Sequence, residues 1–92
     1  MPVVLVPAPY RGPTGGQARI ETTRDTIRAC LEEVESRHPG FGPLVLDPTT
    51  GGLHRFVKLF LNGELLGREP SILDTPVAAS DEIEVLAAIA GG

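Results

Sequence analysis

The chain ends in Gly91-Gly92, and its terminal carboxylate is the group in the sequence best suited to react. The reference pKa of an α-carboxyl group is about 3.3 to 3.7, so it is ionised at neutral pH. It can attack the phosphorus of a nucleotide once another protein positions it. Residues 87–92 carry small side chains apart from Ile89, which predicts an extended, flexible tail for a narrow channel. A frayed terminus without a function would show the same residues.

The other reactive side chains form no catalytic or metal-binding pattern in the sequence. No nucleophile stands beside a base, and His38 and His54 have no acidic or Cys partners at ligand spacing. Cys30 falls on an apolar helical stripe, which favours a packing role over a reactive thiol. Gly15-Gly16 lacks the spacing of a phosphate-binding loop. We therefore expect a protein co-substrate with no metal and no bound cofactor, not a catalyst.

Length and composition predict a single globular domain over residues 1–92. Hydrophobic residues make up 41% and charged residues 22%, and no apolar run reaches the ~18 residues that span a membrane. The first residues lack a basic leader, so we expect a soluble, cytoplasmic protein. The net charge is −4 and the basic residues are scattered along the chain, a pattern that favours a basic protein partner over a nucleic acid.

The first half of the chain predicts a hairpin followed by a helix. Residues 3–6 are a short apolar run typical of a strand, and residues 17–21 alternate after a turn-rich stretch. Thr26 is predicted to cap the helix, because an apolar stripe begins directly after it. Pro39-Gly40 stops the helix. The stripe consists of Ile27, Cys30, Leu31 and Val34.

The second half predicts another hairpin and a last strand. Residues 41–52 are rich in Gly and Pro and indicate a partly mobile connecting segment. Residues 56–61 are the strongest strand signal, and Asn62-Gly63 is the preferred type I′ turn into residues 64–66. A short turn then supplies core contacts from Ile72, Leu73 and Val77. The order β-β-α-β-β-β predicts an α+β fold, a mixed sheet of about five strands packed on one helix.

Alternation along the third and last strands predicts an exposed apolar patch near the tail. If Val57, Leu59 and Leu61 face the helix, Phe60 faces away from it, and the same reasoning turns Leu86 outward. Exposed apolar clusters mark interaction sites. The alternative is that the connecting segment covers Phe60.

The predicted partner-binding residues combine this patch with the tail and one nearby cation. Asp81, Glu82 and Glu84 are close in sequence to Leu86, and we expect their charge to attract a basic partner. The predicted partner contacts are Arg55, Phe60, Leu86, Ile89 and Ala90.

The predicted order, with a last strand leading to Gly-Gly, resembles the β-grasp fold of ubiquitin-like proteins. Three stretches resemble the ThiS/MoaD-like sulfur carriers: Phe-Val-Lys-Leu-Phe-Leu-Asn-Gly-Glu at 56–64, Leu-Asp-Thr-Pro-Val at 73–77, and the last strand with its tail at 81–92. Within that family, Pro-Thr-Gly-Gly-Gln at 13–17, the Asp47-Pro48 loop and Leu-His-Arg-Phe-Val at 53–57 are most similar to the CysO branch. One departure is Ala87-Ala88, where the family often has a proline.

The resemblance implies a role for each of the two terminal glycines, Gly91 and Gly92. An adenylating enzyme of the ubiquitin-activating type would use ATP to activate the carboxylate of Gly92, and sulfur from a donor would replace the adenylate to leave a thiocarboxylate. Gly91 would be the spacer. A second enzyme would take the sulfur: a PLP-dependent cysteine synthase for cysteine biosynthesis, or the large subunit of molybdopterin synthase as the main alternative. Thiamine synthesis and tRNA thiolation are further destinations.

Two readings from other classes stay open. A ubiquitin-like modifier would join Gly92 to lysines of other proteins, although polymeric chains are disfavoured because Lys58 is the only lysine and lies within a predicted strand. A plain interaction domain would keep its function after loss of Gly91 and Gly92.

Overall fold

A computed structural model describes residues 1–87 of the chain. Its strands are β1 (Val3–Leu5), β2 (Arg19–Glu21), β3 (Val57–Leu61), β4 (Glu64–Leu65) and β5 (Glu82–Ala87). Its helices are α1 (Ile27–Arg37) and the four-residue α2 (Gly42–Val45), with short 3-10 helices at Ala8–Tyr10 and Pro70–Asp74. Neither α1 nor α2 is long and apolar enough to cross a membrane.

The strands form one mixed sheet in the order β2-β1-β5-β3-β4. The pairs β1/β2, β3/β5 and β3/β4 are antiparallel, whereas β1 and β5 are parallel. The central strand is therefore the one that leads into the tail. The predicted α+β class, the five strands and the first hairpin are confirmed, although most strands are one or two residues shorter than predicted.

Helix α1 begins and ends where its local residues predict. The Oγ1 of Thr26 accepts a hydrogen bond from the Ala29 amide at 3.1 Å, which satisfies one of the free N–H groups of the first turn. Arg37 is the last helical residue, directly before His38-Pro39-Gly40. The predicted stripe of Ile27, Cys30, Leu31 and Val34 is fully buried against the sheet, where it meets Val4, Val57, Leu59, Ile83 and Val85.

The segment after α1 is more ordered in its packing than predicted. Phe41, which precedes α2, and Val45, which ends it, are fully buried in the helix-side core. Directly after α2, a bridge joins Leu46 to Leu53. The Glu35 carboxylate accepts hydrogen bonds from the amides of Gly40 and Gly42. A Cβ on Gly42 would lie 2.9 Å from the Glu35 Oε1, so a larger residue at this position would displace the Glu35 carboxylate. The segment connects α1 to β3 as predicted, but its anchoring by the buried residues Phe41 and Val45 was not predicted.

The second hairpin turns at the predicted dipeptide. Asn62 and Gly63 have φ angles of 52° and 84°, both in the left-handed region that a type I′ turn requires. The Asn62 side chain also accepts from the Glu82 amide at 2.8 Å and donates to Asp81 at 3.0 Å. These hydrogen bonds tie the turn at the end of β3 to the start of β5, in keeping with the antiparallel register of β3 and β5.

Candidate functional site

The central strand β5 carries the chain to the root of the tail. Ala87 pairs with Val57 and is still part of the strand, so the prediction that the tail begins at residue 87 is wrong by one residue. The predicted site residues Ile89, Ala90, Gly91 and Gly92 lie outside the described residues. Their assigned roles stay predictions. The neighbours of Ala87 are what the structure adds to the site.

The face of the sheet opposite α1 carries an apolar strip across four strands. Phe60 pairs with Leu65 on one side and with Glu84 on the other, and Glu84 in turn pairs with Leu5. We call Leu5, Phe60, Leu65 and Leu86 the open-face strip. Leu65 is 55% exposed and Leu86 is 41% exposed, while Phe60 and Leu5 are half-buried.

The outward directions of Phe60 and Leu86 agree with the alternation in the sequence. Val57, Leu59, Ile83 and Val85 are buried on the helix side, which leaves Phe60 and Leu86 on the other face. Because Phe41 and Val45 pack in the helix-side core, the connecting segment lies on that side and does not cover Phe60. Leu65 and Leu5 were not predicted to belong to this surface, since their position in it depends on register across strands and not on spacing within one strand.

A groove of about 480 Å³ runs beside the root of the tail. Leu86 and Ala87 of β5 form one wall, and Arg11 and Ala18 contribute to the rest. The loop after β1 completes it with Pro7, Ala8 and Pro9. This loop contains the 3-10 helix Ala8–Tyr10 and two prolines, which restrict its backbone. The groove was not predicted, because it arises where the β1–β2 connection meets the end of a strand distant in sequence.

The acidic residues Asp81, Glu82 and Glu84, which were predicted to lie close to the exposed apolar patch, are not all beside it. Glu82 lies at the far end of β5 and its carboxylate is 3.1 Å from the Arg19 guanidinium. Asp81 accepts from the Ala78 amide at 2.7 Å and from Asn62, and these bonds, the amide first, lower the pKa of its carboxyl group. Of the three acidic residues, Glu84 lies between Leu5 and Phe60 of the open-face strip. Asp81 and Glu82 are engaged elsewhere, so the predicted attraction of a basic partner has little support.

Cations lie at the root instead. Lys58 is exposed and pairs with Leu86, directly beside the last residues of β5. Arg55 is exposed, and its guanidinium carbon lies 4.7 Å from the centroid of the Phe56 ring. The predicted partner contact Arg55 therefore lies near the start of β3, at the same end of the sheet as Ala87.

The remaining reactive side chains occupy packing positions. Cys30 is fully buried, and burial raises the pKa of its thiol, while the Thr22 hydroxyl donates to its sulfur at 3.2 Å. The His54 Nδ1 accepts from the Phe56 amide at 3.3 Å, a local turn contact. Over residues 1–87, no group of three or more His, Cys, Asp or Glu side chains is arranged to hold a metal ion.

Comparisons with known proteins agree on one family. The profile of the ThiS family matches residues 4–92. The sulfur carrier protein CysO of Mycobacterium tuberculosis is 36% identical over 90 residues, covering 97% of this chain and 96% of that protein. The crystal structure of M. tuberculosis CysO, described as an antigen, is 32% identical with a TM-score of 0.86, covering 97% of this chain and all of that one. CysO in the Amycolatopsis orientalis BexX/CysO complex is similar over the full length of both chains, with 30% identity and a TM-score of 0.85.

Proposed function

The chain belongs to the ThiS family, and we propose that it is a sulfur carrier that delivers sulfur for cysteine biosynthesis. The carboxylate of Gly92 attacks the α-phosphorus of ATP in a partner enzyme, and pyrophosphate leaves. Hydrosulfide, delivered by the sulfur donor, then attacks the acyl carbon of the adenylate, AMP leaves, and loss of the sulfur-bound proton leaves a thiocarboxylate at the C-terminus. The observation that carries this proposal is the family match over nearly the whole chain, including the Gly-Gly end.

The chain acts in this scheme as a co-substrate. It contributes one carboxylate, whereas the partner supplies ATP binding, the sulfur donor and the catalytic groups. The reactive side chains of residues 1–87 support this division, because Cys30 is buried and the histidines are not paired with a nucleophile. Gly91 separates the reacting carbon from larger side chains and lets the partner's walls approach the tail backbone.

The central strand β5 ends at Ala87, at one end of the sheet. Five residues follow Ala87, and an extended chain of that length spans at most about 17 Å. The carboxyl carbon of Gly92 can therefore lie at most about 17 Å from Ala87. A partner that docks on the open-face strip would need its catalytic centre within that distance of Ala87.

The open-face strip is the proposed docking surface. Phe60 and Leu86 supply its centre, and Leu65 and Leu5 extend it to both sides. An apolar strip with a half-buried aromatic ring is the kind of surface that concentrates binding free energy. Ile89 and Ala90 continue the apolar surface along the tail and would contact the channel wall.

Two enzymes would use this surface in turn. The first is an adenylating enzyme that also transfers sulfur, and the second is a PLP-dependent cysteine synthase that accepts it. Both need the same C-terminus, so they bind one after the other and not together. The similarity to CysO proteins supports cysteine over molybdopterin as the destination.

The destination can be tested with the thiocarboxylated chain. We expect a PLP-dependent cysteine synthase to consume the thiocarboxylate, as shown by intact-mass measurement of the carrier, while the large subunit of molybdopterin synthase leaves it unchanged. Consumption by the molybdopterin enzyme alone would move the chain to another pathway and keep its carrier role. Lysine-linked adducts of the chain in a cell extract, formed without sulfur transfer, would instead support a protein modifier.

A further inference from the structure

The structure divides the basic residues of the chain into two groups of four. The chain has eight Lys and Arg residues. Four arginines lie within 4.0 Å of a carboxylate: Arg19 with Glu82, Arg24 and Arg37 with Glu33, and Arg28 with Asp74. In the part of the chain that the structure describes, the other four have no carboxylate within that distance. These four are Arg11, Arg55, Lys58 and Arg68.

All four unpaired cations lie at the end of the sheet where the tail begins. Lys58 pairs with Leu86 in the β3/β5 ladder. Arg68 donates to the carbonyl oxygen of Val57 at 2.5 Å, and Val57 is the residue that pairs with Ala87. Arg55 precedes β3 by two residues.

The fourth cation completes the arrangement from the other side of β5. Arg11 lines the groove that Leu86 and Ala87 also line, and its Nε donates to the Val6 carbonyl oxygen at 3.0 Å. Cations therefore flank the root of the tail from the β1 side and from the β3 side. We call Arg11, Arg55, Lys58 and Arg68 the basic collar.

Two members of the collar retain their full donor capacity. The side chains of Arg55 and Lys58 are exposed and make no hydrogen bond within residues 1–87. The Arg55 guanidinium stacks on the Phe56 ring, which leaves its N–H groups free to donate. Arg11 and Arg68 use some of their N–H groups on backbone carbonyls, which holds them in place. Guanidinium groups held this way are suited to carboxylate acceptors, which they bind through two parallel N–H groups.

We propose that the basic collar binds a ring of Asp and Glu side chains around the channel entrance of the partner protein. This inference rests on the proposed function, since it takes the tail to enter a channel. The proposal also takes the tail to be fully extended in that channel, which would put the reacting carbon about 17 Å from Ala87 and the partner's nucleotide out of reach of side chains at the root.

The collar works although the chain as a whole is negative. At physiological salt, charges separated by more than about 8 Å are largely screened, so an approaching partner responds to the local cations at the root and not to the net charge. An acidic entrance would be attracted to this end of the sheet and oriented with the tail toward the channel. The collar therefore sets the rate of productive association more than the final affinity.

Matched double variants separate this local effect from net charge. Arg55→Gln/Lys58→Gln removes two collar charges, and Arg24→Gln/Arg28→Gln removes two paired charges elsewhere, so both variants have the same net charge. With the ThiS-family adenylating enzyme as partner, we expect the first to associate about tenfold more slowly at low salt and to lose most of the salt dependence of the rate. We expect the second to stay within about twofold of wild type. Equal association rates for the two variants would overturn the proposal.

A titration without the enzyme keeps the collar testable if the carrier function fails. An acidic peptide of Glu residues, added to the isotope-labelled full chain, should shift the amide signals of residues 54–58 and 68 and leave those of α1 unchanged. Absence of shifts, or larger shifts at the same residues with an oligouridylate of equal charge, would overturn the collar as a carboxylate site. If the peptide shifts the signals of the collar residues but the enzyme never forms the thiocarboxylate, the proposed function is wrong. The proposal that the collar binds carboxylates would still hold.

Discussion

At the scale of single residues, Glu33 links α1 to the chain that precedes it. Its carboxylate accepts from the amide and hydroxyl of Thr23 at 2.8 and 2.9 Å, and lies 3.1 Å from the Arg37 guanidinium. The Thr23 amide is the main cause of a pKa below the ordinary 4.5 of a Glu carboxyl group, and the nearby arginines add to it. Glu33 therefore stabilises the folded state in its ionised form.

The lowered pKa of Glu33 predicts that the folded state becomes less stable as the pH falls. Because the pKa is lower in the folded state, the unfolded state binds the proton first as the pH falls below about 4.5, and the stabilisation is lost as the pH falls through the folded-state pKa. Glu33→Gln should cost about 1 kcal/mol in the free energy of unfolding at neutral pH and much less at acidic pH. Urea unfolding at both pH values measures this.

The neighbouring Glu32 provides the control. It is exposed on the same helix and makes no hydrogen bond or ion pair within residues 1–87, so Glu32→Gln should change the unfolding free energy little at either pH. A Glu33→Gln variant with the same cost at acidic and neutral pH would mean that the ionised carboxylate is not the stabilising form.

At the scale of elements, α2 is held by buried apolar contacts despite its Gly and Pro content. Phe41 is the largest fully buried side chain among the described residues. Phe41→Ala should cost about 3 to 5 kcal/mol in the free energy of unfolding, because it removes apolar contacts and leaves a cavity. Leu44→Ala, at a half-buried position of the same segment, should cost clearly less. Equal costs in urea unfolding would mean that the segment adapts and is not anchored by Phe41.

The elements also show which features a sequence can predict. The Thr26 cap and the Asn62-Gly63 turn depend on neighbouring residues, and both are confirmed. The burial of Phe41 was missed because surrounding Gly and Pro residues suggested a loop, while its packing depends on α1 and the sheet. The position of Leu65 in the open-face strip was missed for the same reason, because it depends on pairing with Phe60 across a turn.

Charge placement is predictable only after the strands are paired. The basic residues are scattered along the sequence, and only the pairings Lys58 with Leu86 and Val57 with Ala87 gather Lys58, Arg55 and Arg68 at one end of the sheet. Conversely, Asp81 and Glu82 are close to Leu86 in sequence, but β5 separates Glu82 from Leu86 by about 13 Å. The expected attraction of a basic partner came from treating sequence distance as distance in space.

At the scale of the whole molecule, the sheet separates a helix-side core from a face that is open for docking. Phe60→Ala should weaken binding to the adenylating enzyme by about thirtyfold, because truncating a central aromatic contact costs about 2 kcal/mol. Leu44→Ala is the matched control, since it removes apolar contact area on the helix side of the molecule. Calorimetric titration measures both, with circular dichroism to check folding. Wild-type affinity in a folded Phe60→Ala variant would assign the docking surface to other residues.

Formation of a thiocarboxylate at Gly92 is the step that distinguishes a sulfur carrier from a plain interaction domain. The full-length chain is incubated with the adenylating enzyme of its family, ATP and a sulfur donor, and its intact mass is compared with that of a chain lacking Gly92. The wild type should gain the mass difference between sulfur and oxygen, located at Gly92 by fragmentation, and the shortened chain should fold normally and gain nothing. The chain would not be a sulfur carrier if its mass stayed unchanged in a reaction that thiocarboxylates another carrier of the family. An equal mass gain in the shortened chain would mean that Gly92 is not the site of sulfur attachment.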